Sequence, residues 1–119
     1  MNVGHRAQTP KKKRYPHREK ILDGARDAVM RDRNAEYGEP HQDFKRSAEM
    51  MTVFLRGAGK LADGETIEPH EVAIVQVMVK LSRLAHSPDH FDSVLDIAGY
   101  MACYWEALQI ERLEQGSDD

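Results

Sequence analysis

Acidic and basic side chains recur at helical spacing in three separate stretches of this chain. In DRNAEYGEPHQDF, residues 32–44, the apolar stripe of Ile21, Ala25 and Ala28, flanked by Leu22 and Val29, runs on into Asp32, Arg33 and Glu36. The core-facing side of a helix therefore ends in charge. In PHEVAIVQVMVKLSRLAH, residues 69–86, a helix apolar around nearly its whole circumference carries one polar line of Gln76, Lys80 and Arg83. Just downstream, Asp92, Asp96 and Tyr100 repeat every four residues. Brought together, such groups suit phosphate chemistry. Lys80, Arg83 and Arg33 would meet a phosphate, and the carboxylates would meet a hard cation such as Mg²⁺, which takes one or two carboxylates plus phosphate oxygens. His41 opens the next helix, where N–H groups without a helical partner attract anions, and would orient a phosphate there.

Four helices must position these groups. The first is expected near residues 17–37, stopped at Tyr37-Gly38-Glu39-Pro40, where Gly supplies a left-handed cap and Pro forbids continuation. The second starts about Pro40, spaces Phe44, Ala48, Met51, Phe54 and Leu55 helically, and ends at Gly57 and Gly59. The third spans about 69–86. The fourth starts at Ser87-Pro88 and runs to about Glu114. A short turn near residues 87 and 88 makes the last two an antiparallel hairpin, so equal steps back from it set Arg83 opposite Asp92, Lys80 opposite Asp96, and Gln76 opposite Tyr100. Buried charges must be paired or bound. Two readings of that ladder stand: salt bridges that fix the register of the hairpin, or one wall of a pocket to which Asp32, Arg33 and Glu36 also contribute.

Composition narrows the classes. The chain has 119 residues, 40% of them hydrophobic and 31% charged, with no run long enough for a membrane span and no apolar stretch after its N-terminal bases. A single cytoplasmic domain is expected, with residues 1–16 a disordered basic arm, 17–115 the helical domain and 116–119 a disordered tail. Residues 1–20 carry a charge of +6 and the remainder −9, within a net −3. The arm is thus a second partner surface, open to nucleic acid through phosphates. Cys103 is the single cysteine, which excludes an intrachain disulfide, and reads as a small buried hydrophobe. GAGKL at 57–61 lacks the Ser or Thr that a phosphate loop needs after its Lys and reads as a Gly-rich helix exit. His86 and His90 are four apart, but Pro88 breaks the helix face a metal would require. Tyr104 and Trp105 read as core or dimer interface.

The segments DRNAEYGEPHQDF, HEVAIVQVMVKLSRLAH and DHFDSVLDIAGYMACYWEAL resemble a phage and prophage family of small proteins of unassigned activity, marked by D-R-x-x-x-Y-G-x-P, a K-x-x-R helix and D-x-x-x-D-I-A-G-Y. The likeness covers residues 19–111. More distantly, the pattern is similar to the MazG-like all-α nucleotide pyrophosphohydrolases, whose helices bind Mg²⁺ through E-x-x-E and E-x-x-D clusters. Here Lys80 and Arg83 occupy the place of the first cluster, and Asp92 and Asp96 are spaced by four where the second stands.

The resemblance implies an antiparallel four-helix bundle, MazG-like, and the nearly all-apolar third helix implies completion by self-association. It also implies a nucleotide as ligand, contacted by Asp32, Arg33, Glu36, Tyr37 and His41. If the chain hydrolyses it, Mg²⁺ on Asp92 and Asp96 would activate a water while Lys80 and Arg83 stabilise developing charge, with Lys80, Arg83 and Asp96 as the reacting-centre residues. Two other classes compete: a protein that sequesters a nucleotide without cleaving it, and a structural or DNA-associated helical module.

Overall fold

The computed structural model describes residues 14–32 and 38–118, with backbone alone at Asp32, Ser117 and Asp118. Among them, all regular structure is helical. The helices are α1 (Pro16–Asp27), continued by a π-helical turn (Ala28–Asp32), then α2 (Pro40–Gly57), α3 (Pro69–His86) and α4 (Phe91–Asp118).

Glycine and proline punctuate the chain where their backbone preferences dictate. Pro40 and Pro69 occupy the first turns of α2 and α3, where a missing N–H is harmless. Gly59, at φ +73°, ends α2: its N–H donates to the Arg56 carbonyl while that of Lys60 donates to the Leu55 carbonyl. Those paired bonds are the Schellman closure, which accounts for GAGK without any phosphate. The loop that follows is tied down by Thr52, buried on α2, whose hydroxyl donates to the Ala48 carbonyl and accepts from the Ile67 N–H at 2.9 Å. The Glu68 N–H, at the head of α3, donates to the Glu71 carboxylate at 2.8 Å, satisfying one orphan donor of the helix start.

Three boundaries differ from the sequence reading. The regular α-helix of α1 stops at Asp27 and widens into the π turn instead of continuing uninterrupted. At the other end, α4 begins at Phe91, because Ser87-Pro88 belongs to the turn and His90 does the capping. The His90 Nδ1 accepts from the Ser93 N–H at 3.2 Å and lies 2.7 Å from the Ser93 hydroxyl. That ring thereby holds the first turn of the helix, and Ser93 is fully buried beneath it. His90 is engaged in capping and is not half of a metal pair with His86. The last helix also runs on to Asp118, past residue 115.

α3 and α4 are antiparallel, as the Lys80–Asp96 and His70–Glu111 pairs show. α1 lies parallel to α4, since Gly24 meets Leu95 and Val29 meets Gly99. A Cβ at Gly24 would stand 2.4 Å from the Leu95 Cδ1, and one at Gly99 would stand 3.0 Å from the Val29 Cγ1. Missing side chains thus let the two helices approach closely. The core gathers Phe44 and Ala48 of α2, Val72 and Ala73 of α3, and Tyr100 and Cys103 of α4, with Val29 packed against it. The rings of Phe44 and Tyr100 lie 6.2 Å apart.

Candidate functional site

The expected polar ladder is present in one rung. Lys80 Nζ lies 3.0 Å from the Asp96 carboxylate, with side-chain exposures of 14% and 28%, so the pair is held partly out of water. Arg83 and Asp92, the rung nearer the turn, are both exposed, and no ion pair joins them among the described residues. An exposed pair gains little from closing. Tyr100 points its ring into the core against Phe44. The pairing register inferred from the hairpin is therefore right at its middle, and its outer charges stand in solvent.

The first helix does reach this rung. Asp96 shares a small crevice with Ala28 and Val29 at the π turn, and with Gly99 and Cys103 on its own helix. The π turn and α4 thus border this crevice, and Lys80 of α3 reaches its Asp96. Arg33, Glu36, Tyr37 and the side chain of Asp32 lie outside the described residues. Asp96 is held by an ammonium group, Asp92 is exposed, and no group of three or more His, Cys, Asp or Glu side chains comes together among the described residues.

About two to four helical turns along α4 from Asp96, a cavity of about 620 Å³ opens. It is lined by Val29 and Met30 of the π turn, Pro40 and His41 of α2, and Cys103 and Glu106 of α4. Pocket volumes of this size accommodate drug-sized and nucleotide-sized ligands. The N-terminus of α2 faces it with the backbone donors that have no helical partner. His41 also borders a second cavity of about 400 Å³, whose wall includes Lys45, Thr52, Glu68 and Glu111. The His41 Nδ1 is buried and has no hydrogen-bond partner among the described residues. A buried ring nitrogen without a partner is uncommon and calls for an explanation.

The sequence reading missed a second polar contact on the hairpin. His70 Nδ1 lies 2.9 Å and 3.0 Å from the two carboxylate oxygens of Glu111, and its ring meets Tyr104 edge to face at 5.7 Å. The equal-step rule that joins Lys80 to Asp96 sets His70 level with Glu106 instead, so the contact with Glu111, more than a turn farther along α4, is not given by the spacing.

The matches to known proteins agree with the phage likeness. Residues 20–108 match the family model described as Domain of unknown function (DUF6378). The chain belongs to this family. Curated relatives include the Gene 55 protein of Mycobacterium phage D29, 31% identical over 85 residues, which are 71% of this chain and 51% of that protein. The Gene 55 protein of Mycobacterium phage L5 is 29% identical over 95 residues, 80% of this chain and 56% of that one. The chain thus spans about half the length of the curated relatives it matches. No solved structure matches it. Among the described residues of this DUF6378 member, no helix is long and apolar enough to cross a membrane.

Proposed function

We propose that this DUF6378 protein binds a phosphorylated nucleotide, with the phosphates at the start of α2 and the base against the apolar wall given by Val29, Met30 and Cys103. The observation that carries the reading is a cavity of about 620 Å³ at the head of α2, lined by Pro40, His41 and Gln42 and by the apolar Val29 and Met30. The free amides of that helix turn favour an anion there. The distant likeness to MazG-like hydrolases points to the same ligand class.

Within this reading, sequestration is favoured over cleavage. A carboxylate already 3.0 Å from Lys80 Nζ is a poor further ligand for a metal-activated water, so Asp96 acts here as a structural partner. Thermal unfolding against a panel of nucleoside mono-, di- and triphosphates, with and without Mg²⁺, tests the proposal. A ligand at about a hundred times its Kd adds about 2.7 kcal/mol to the folded state. His41→Gln should abolish the shift, whereas Asp92→Asn should leave it. No stabilisation by any nucleotide would sink the reading. Pyrophosphate release from a stabilising triphosphate would replace sequestration with hydrolysis.

A further inference from the structure

The head of α1 gathers cations that neither the core nor the nucleotide cavity uses. Six of the seventeen Lys and Arg residues fall within residues 11–20, against Glu19 as the one acid of that stretch, while the chain from residue 21 onward carries −9. Arg14, His17, Arg18 and Lys20 are all exposed. Two aromatic rings stand among them. Tyr15, 47% exposed, precedes the first turn of α1, and the Arg18 guanidinium lies 3.4 Å from its ring centroid. Phe91, also 47% exposed, opens α4 and shares a cavity of about 330 Å³ with His17, Lys20 and Ile21 of α1. No side chain caps the start of α1, so the amides of its first turn are open to an anion as well. Two acids stand nearby. Glu19 lies 3.4 Å from Arg14 at the surface, where such a contact holds little, and Asp89 lines the cavity.

We propose that the head of α1 binds single-stranded nucleic acid, with Arg14, Arg18 and Lys20 on its phosphates and Tyr15 and Phe91 under its bases. Cations alone attract any polyanion. Rings interleaved with them are what unpaired bases use, because every base has a face that stacks on an aromatic side chain. The bases of a duplex already stack on one another, so a duplex would gain the phosphate contacts and leave both rings idle. An anionic bilayer is the poorer partner, since the apolar residues of the stretch 1–20 are isolated and give no face to lay among acyl chains. The acidic remainder of the chain repels phosphates, which directs a strand to this end of the molecule. The cavity of about 330 Å³ shares no lining residue with the one at the head of α2, so this site stands whether or not a nucleotide binds there.

Fluorescence anisotropy of the full chain with a labelled oligothymidylate about sixteen nucleotides long, within the range that one such module covers, tests this. The logarithm of Kd should rise with that of the salt concentration by about 0.7 per phosphate engaged, hence with a slope of about 2–4 for three to six cations. Combining Arg14→Gln, Arg18→Gln and Lys20→Gln should weaken binding by at least about tenfold near 0.1 M salt and lower the slope by about 2. Tyr15→Ala should weaken binding about fivefold or more and leave the slope unchanged, because stacking releases no counterions. Lys60→Gln, at an exposed cation in the loop after α2, should change neither. Should the triple variant lose its helical circular dichroism, Arg18→Gln alone supplies the second measurement, with a smaller loss and a slope lower by about 0.7. No binding to the oligonucleotide, binding unchanged by either class of substitution, or tighter binding to a duplex of the same length would each overturn the proposal. So would a chain that ignores the oligonucleotide and binds phosphatidylserine vesicles through the same cations.

Discussion

Lys80 and Asp96 are the one pair of opposite charges that the hairpin register foretells and the structure closes, and their value depends on how far water is kept away. Side-chain exposures of 14% and 28% place the pair between a surface bridge worth less than about 1 kcal/mol and a buried one whose rupture costs about 3–5 kcal/mol. Lys80→Ala should therefore destabilise by about 1–2 kcal/mol. Asp96→Asn should cost less, since an amide still accepts from the ammonium. A double-mutant cycle in urea should return a coupling near 1 kcal/mol; a coupling of zero would return both residues to the pool of ligand-binding groups. The neighbouring rung behaves differently. Arg83 and Asp92 satisfy the same arithmetic, yet both stand in solvent, where hydration competes with pairing. Sequence spacing gives the register of a helix pair; it does not give the depth of each rung, and depth decides which charges meet.

At the scale of elements, the helices were legible because their ends are marked by residues with few backbone choices. Gly59 takes positive φ at the end of α2, and Pro40 and Pro69 head α2 and α3, so three helix boundaries follow from local chemistry. The start of α4 was not legible, because a histidine ring serves as its cap and the sequence offers a more usual Ser-Pro three residues earlier. Nor was the seam between α1 and α4, which depends on two glycines that lie inside helices and carry no local signal. Gly99 is the tighter test. An added Cβ would lie 3.0 Å from the Cγ1 of Val29, a β-branched side chain with one preferred rotamer in a helix, whereas Gly57 has nothing within 4 Å. Gly57→Ala should stabilise by about 0.5–1 kcal/mol through helix propensity alone. Gly99→Val should cost about 1–3 kcal/mol by overpacking, and it should raise amide exchange in α1 ahead of α3. Equal effects at the two positions would mean that α1 is not seated on α4 as described.

For the whole molecule, the small size of the residues at its centre matters more than any single contact. The buried hydrophobic residues among those described are Ala25, Phe44, Ala48, Val72, Ala73, Tyr100, Cys103 and Ala107, half of them alanine. Meanwhile Met78, Leu81, Met101 and Trp105 remain 40% to 60% exposed. Several of the larger apolar side chains thus lie on the outside of one chain, in keeping with the apolar circumference of the third helix in the sequence. Self-association over them is expected to couple to folding, so stability should depend on protein concentration. Each tenfold rise in concentration adds about 1.4 kcal/mol to a dimer, so the Tm should climb by about 3–5 °C per decade. Scanning calorimetry from a few to a few hundred micromolar checks this directly, with Trp105 emission shifting to the red as dilution exposes the indole. A Tm independent of concentration over that range would show that these eight buried residues suffice for one chain.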